Sequence, residues 1–404
     1  MTDPAVPSPS AEKQTSSPLL TILVFAALSA TLSSGYGVLF TVVGDFRSEY
    51  DISEAMVGLI IGIGFFAGFL AQVFIAPIGD RGRARQVVAF GVLINVLGLI
   101  LIGIGGSVEL ILLGRFISGI GIGSAAPAIR RIVILVDPAN LGRNLGWLLS
   151  ADVFGFALGP AVSAVLVVPF GLAAPFLVIA ALALILLPNL WRVNVREDKA
   201  ETTQRLALDL LSDKAVAGGV VLGAGVFLMI GGFDALWDVV HEDLGTNDFI
   251  ANLGITLFAL PLIFLGPYSG VLAQRVGPFI MGSIGLVAGA FFMTTYGLLP
   301  SGNWIFAFAM FHAVTDGLTI AASGVAVGLA VSDERQAGAQ GLIGAAQAIT
   351  AGTTAIVIGA LYGSSGRFVA YSATAAGILV CVAIALYLGR DFRRERKAAA
   401  AAVA

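Results

Sequence analysis

Apolar runs of membrane-spanning length alternate with short polar breaks along almost the whole chain. Stretches near 19–43, 55–79, 86–106, 109–132, 144–168 and 170–190 lead up to one long polar segment; stretches near 215–238, 250–274, 277–299, 303–331, 339–362 and 368–389 follow it. Each holds about 20 residues or more, the length of helix that crosses a hydrocarbon core roughly 30 Å thick. Lipid offers backbone N–H and C=O groups no partner, so each run is expected to be a helix. The polar segment, 191–214, puts ten charged side chains into 24 positions and belongs in water. The pattern predicts an all-α membrane protein of twelve transmembrane helices in two six-helix bundles, 18–190 and 215–389, joined by this connector. A Pro/Ser/Thr-rich tail at 1–17 is expected to be disordered, and a basic tail covers 390–404.

Composition strengthens this picture. The chain is 58% hydrophobic, above the roughly 45–50% apolar content of soluble domains, and its mean hydropathy is +0.96. The 51 glycines fall largely inside apolar runs, where a missing side chain lets membrane helices pack closely. The first run follows only Lys13 and spans about 22 residues, so it is expected to be an uncleaved first helix and not a signal peptide. Cys381 stands alone, which excludes an internal disulfide.

Charge sets orientation. With both termini on the cytoplasmic side of the cell membrane, nineteen of the 22 Lys and Arg residues fall inside, as the positive-inside bias requires. The net charge of −3 gives no reason to expect a nucleic-acid partner. Glycine repeats such as Gly119, Gly121 and Gly123 have no strand before them and so make no dinucleotide loop. No HExxH, GxSxG or clustered Cys/His pattern supports catalysis or a metal site, and no cofactor is expected.

Two loops at equivalent places suggest duplicated halves. APIGDRGRARQ (76–86) follows the second run and GVLAQRVGP (270–278) the eighth. Asp80, Arg81, Gly82, Arg83 and Arg85 resemble the loop motif of the major facilitator superfamily, with Ala76 at its leading glycine and one residue missing before Gly82. Gly270, Arg275 and Gly277 keep the spacing in the second loop, with Gln274 in place of the acid. The fifth run carries Gly146, Gly155, Gly159 and Pro160, which resembles the family's antiporter motif but has Ser163 and Ala164 at its closing glycine pair. By residues alone, Gly155 and Gly159 make one close-packing face. Arg115, Ser118, Gly119 and Gly121 resemble the fourth-helix motif. The resemblance covers all but the tails. It implies a monomeric transporter with two pseudo-symmetric bundles, a gating role for both loops, and helices 1, 4, 7 and 10 around a central cavity.

Charge near the bilayer centre costs roughly 2.5–3.5 kcal/mol or more, so the few such residues are site candidates. They are Arg115, Asp152, Asp234 and the pair His312 and Asp316. The pair is four residues apart, hence on one helix face, and is read either as the proton-coupling site or as a structural hydrogen bond. Arg115 is expected toward the cavity, or bonded to backbone carbonyls. Asp152 is either a coupling residue or a packing contact, and lies too far in depth from Arg115 for a direct pair. Asp234, with Asp238, His241 and Glu242 beyond, marks an acidic outer vestibule or a solvated helix end. Ser33, Ser34, Tyr36, Gln340, Gln347 and Thr350 line the path or join helices. The functional expectation is proton-coupled export of small apolar or amphipathic compounds. The alternative is a nutrient symporter with a more polar cavity, and a non-transporting receptor is the third class.

Overall fold

The computed structural model describes residues 17–197 and 206–403. The tail expected to be disordered, apart from Ser17, and connector residues 198–205 lie outside the described residues. Twelve helices are long and apolar enough to span a membrane: α1 Pro18–Tyr50, α2 Met56–Asp80, α3 Ala84–Ile104, α4 Val108–Val136, α5 Pro138–Phe170, α6 Ala173–Trp191, α7 Lys214–Asp243, α8 Phe249–Val276, α9 Pro278–Leu298, α10 Gly302–Ala330, α11 Asp333–Ser365 and α12 Arg367–Leu388. A further helix, α13, covers Arg390–Val403. No strand occurs among the described residues.

Local chemistry sets the ends of these helices. The hydroxyls of Ser17, Ser53 and Ser107 accept from the backbone N–H of Leu20, Met56 and Leu110, and the Asp213 carboxylate accepts from Ala215 and Val216, supplying acceptors that a first helical turn lacks. Gly82 (φ +69°) turns the chain from α2 to α3, and Gly277 (φ +114°) turns it from α8 to α9. Both sit where a side chain would strain the backbone, at the same point of each half.

The run at 303–331, expected as one continuous helix, is interrupted. Helix α10 stops at Thr319 and restarts at Ala322. The Ser269 hydroxyl of α8 accepts from the Ala321 N–H at 3.2 Å, so an in-membrane break is tolerated because its donor is served.

The odd-numbered helices start, and the even-numbered helices finish, at the end that carries the connector. Here the halves meet. Gly142 and Gly146 of α5 lie against the backbone of Gly270 and Gly266 in α8, and Gly341 and Gly344 of α11 lie against Gln72 of α2. Helices α1 and α7, at corresponding places in the two halves, are not packed on each other among the described residues. The bundles therefore part toward the opposite end and leave a crevice between them.

Polar contacts at the connector end reinforce the seal. Arg196 reaches Asp333 at 3.2 Å, and both Arg335 nitrogens hold Asp209 at 2.7 and 2.9 Å. That guanidinium keeps the Asp209 carboxyl below the usual carboxylate range. A lowered value stabilises the fold above the ordinary pKa of about 4 and stops doing so as pH falls through the lowered one. Because the pair is partly exposed, Arg335→Gln is expected to cost under about 1 kcal/mol at neutral pH. Thermal unfolding in detergent should show that cost shrinking below about pH 4; a pH-independent difference would assign Arg335 a different role.

Candidate functional site

The N-terminal wall of the crevice is aromatic. On α1, Gly35 faces Leu99 of α3 and Phe46 stacks on Phe176 of α6. Between the contacts to α2 and α5, Tyr36 and Phe40 meet Phe65 of α2 edge-on at 5.3 Å and Phe156 of α5 at 6.0 Å. Helices α2 and α5, on either side of it, both pack on the other half at the connector end, so the α1 face between them is directed toward the crevice.

Arg115 lies directly behind that wall. Its guanidinium sits 4.0 Å from the Tyr36 ring centroid, a cation–π distance, and its other side rests on Gly64 of α2. The side chain is buried, yet Nε and Nη2 have no hydrogen-bond partner among the described residues. The cation is held by a ring and a backbone, and no carboxylate pairs with it among the described residues. Arg115 is legible in the sequence through its cost in lipid, whereas Tyr36 shows there only as a polar side chain and not as its cover.

Asp152 of α5 is half-buried and accepts from the Ser29 hydroxyl of α1; Arg130 and Ser33 also act on its carboxylate. Just beyond, Gly155 and Gly159 lie against the backbone of Ala30, Gly37 and Val38 in α1. Pro160 follows without ending the helix, which runs on to Phe170. Arg115 and Asp152 form no ion pair.

On the C-terminal wall, α7 packs on α8 through Trp237, whose indole donates to the Ala251 carbonyl. It packs on α11 through Gly231 and on α12 through Gly232. Asp234 projects between the α8 and α11 contacts, toward the crevice. It is exposed, as are Asp238 and Glu242 nearer the mouth. His241 instead turns inward, its Nδ1 3.0 Å from the Thr246 hydroxyl.

His312 and Asp316 stand apart from this lining. They share a face of α10, with Nε2 3.5 Å from the Asp316 carboxylate, but that face looks into the C-terminal bundle. The imidazole stacks on Phe292 of α9 at 4.8 Å, meets Phe233 and Phe258 edge-on, and lies 3.0 Å from the Tyr296 hydroxyl. Asp316 borders a small void with Val226, Met229, Gly282 and Gly285. The expectation that both groups line the central cavity is therefore corrected: they are sealed among α7, α8 and α9, because a four-residue spacing fixes a shared face but not its direction. Gln340 similarly bonds within its own bundle, to the Gly324 carbonyl.

At the connector end the two loops act in different ways. The Asp80 carboxylate accepts from the N–H groups of Ala337 and Gly338 at 2.8 and 2.7 Å, and faces Arg131 at 3.2 Å. Gln274 uses its amide instead: its oxygen accepts from Gly142 at 2.8 Å and its nitrogen donates to the Ala139 carbonyl at 2.9 Å. Each loop thus bonds the half to which it does not belong. Arg85 ties the first loop to the connector through Val193 and Glu197, while Arg83 and Arg275 are exposed.

The Major Facilitator Superfamily sequence profile matches residues 22–234 and 219–403. Among curated relatives, Multidrug resistance protein 1 of Bacillus subtilis is 28% identical over 177 residues, which are 41% of this chain and 44% of that one. A putative uncharacterized transporter of Escherichia coli K12, YgaY, is 24% identical over 249 residues, 59% of this chain and 61% of its own. The chain thus spans about half the length of the curated relatives it matches. Among solved structures, the human organic anion transporter MFSD10 aligns with a TM-score of 0.78 at 15% identity, over 91% of this chain and 99% of that one. The proton:xylose symporter XylE aligns with a TM-score of 0.76 at 13% identity, over 92% and 95%. At these identities the structures share the fold alone.

Proposed function

The chain belongs to the major facilitator superfamily of membrane transporters, and we propose that it is a proton-coupled exporter of small apolar or amphipathic compounds that works by alternating access. The observation that carries this reading is a crevice sealed at the connector end and walled by Tyr36, Phe40, Phe65 and Phe156, with Arg115 behind that wall, Asp152 beside it and Asp234, Asp238 and Glu242 on the facing one. Aromatic walls bind apolar bodies, and a few placed charges orient them. A sugar-type importer calls for converging amides and hydroxyls, and the Gln340 amide nitrogen is spent within its own bundle. The multidrug-resistance relative supports the same direction. In this reading the protein sits in the cell membrane as a monomer with both termini and the connector inside.

Proton coupling is assigned to two places. Asp152, with Ser29 and Ser33, faces the substrate path. His312, Asp316 and Tyr296 form a chain of proton-carrying groups inside the C-terminal bundle, where a charge change alters how α10 packs on α9.

Reconstitution into vesicles with an acidic lumen tests the reading. Protein inserted with its connector outward should drive an amphipathic fluorescent dye into the lumen while protons leave. Dye movement in the direction of the protons would mark a symporter, and movement indifferent to the gradient a facilitator. In the same assay His312→Ala and Asp316→Asn are each expected to flatten the dependence of transport on pH; an unchanged profile would return the pair to a purely structural role.

A further inference from the structure

Helix α13 does not continue α12 into solution. Its Phe392 ring lies 5.8 Å from Phe279 at the start of α9, and Arg396 donates to the Gln274 carbonyl at the end of α8 at 2.8 Å. Arg393 turns back to the Leu386 carbonyl of α12 at 2.9 Å. With contacts to the ends of three helices at one level, α13 runs across the connector face of the C-terminal bundle, parallel to the membrane plane.

Phe392, Arg393 and Arg396 occupy the docked side. Arg390, Arg394 and Lys397, at spacings of four and three, form a second stripe. The Arg394 side chain is 81% exposed and that of Arg390 42%, and Lys397 is exposed. Asp391 lies 3.6 and 4.0 Å from the two arginines, and Glu395 is exposed. Five basic residues against two acidic ones leave the helix cationic. At its root the Arg390 guanidinium lies 4.6 Å from the ring centroid of Tyr387, which is 60% exposed at the end of α12. A tyrosine there marks headgroup depth.

We propose that this stripe is a docking surface for the headgroups of anionic phospholipids. A basic face held parallel to the bilayer, level with an interfacial tyrosine, presents fixed cations where lipid phosphates lie. The contact bears on the transporter's own gate, because Arg396 holds the backbone of the same Gln274 whose amide joins the two halves.

Full-length protein in neutral detergent, titrated with phosphatidylglycerol or phosphatidylcholine and read by native mass spectrometry, tests the proposal. Wild type should take up phosphatidylglycerol preferentially. Each basic residue near an anionic surface contributes about fivefold, so the triple variant Arg390→Gln, Arg394→Gln, Lys397→Gln should bind about a hundredfold more weakly. The variant Arg390→Lys, Arg394→Lys keeps its charge and should retain the preference. Arg394 and Lys397 are exposed and Arg390 rests on the exposed Tyr387 ring, and thermal unfolding verifies that the fold is kept. Equal uptake of the two lipids by wild type, or an unchanged preference in the glutamine variant, would overturn the proposal. So would full displacement by glycerol phosphate at equal concentration, which would mark a site for soluble anions.

Discussion

Asp80→Asn is expected to open the connector end. The native carboxylate accepts two backbone N–H bonds from α11 and faces Arg131, whose side chain is 0% exposed. An asparagine keeps one acceptor, points an NH₂ at a backbone donor, and leaves the guanidinium without the charge it faces. The pairing with Arg131 lies within one half and is weakened in both conformations, but the bonds from Ala337 and Gly338 cross between the halves, and losing one such charge-assisted bond costs about 1.5–3 kcal/mol. That cost falls only on the conformation in which α2 and α11 touch, so it displaces the balance toward the connector-open form by about tenfold or more. Thiol labelling of a cysteine placed at Ala345, buried on α11 beside this contact, should accelerate accordingly. Labelling as slow as in the Asp80 protein would mean that the loop does not latch the halves.

Gly270→Val acts on the same equilibrium from the other helix pair. A Cβ on Gly270 would run into the Gly142 carbonyl, and backbone cannot move aside as a flexible side chain can. Overpacking a fitted interface costs roughly 1–3 kcal/mol when side chains absorb it, and here none is available. The expected result is a folded protein whose α5 and α8 cannot close, with transport reduced to background. Gly359→Val is the control, since nothing lies within 4 Å of a Cβ at that position. Loss of transport in the control as well would point to a general intolerance of larger residues and not to the α5–α8 contact.

The twelve spans, the connector and the paired loops were legible in the sequence because each rests on a rule that needs no tertiary information. Apolar length sets a span, charge density sets a connector, and a turn glycine shows as a residue type. Burial direction was not legible. A soluble helix reveals its buried face through its polar one, whereas these helices are apolar all round, so nothing in the spacing of His312 and Asp316 told whether they face the crevice or their own bundle. The same ambiguity hid the stacking of Arg115 on Tyr36, which joins residues from different helices without any charge pairing to signal it. Asp80 stood out by charge and context. Its partners did not, because the N–H groups of Ala337 and Gly338 are features that nearly every residue possesses. Gly142 and Gly266 were overlooked for a related reason: among 51 glycines, those that seal the two halves look like those that pack one.

Movement of one half against the other is the claim on which the account depends, and distances measured at both ends of one molecule test it most directly. In a Cys381→Ser background, spin labels at Arg83 and Ser332 would report the connector end, and labels at Ser48 and Glu242 the opposite end; all four positions are exposed. On adding a transported compound or shifting pH, the first distance should lengthen as the second shortens. Two distances that stay fixed, or that lengthen together, would contradict alternating access in this protein.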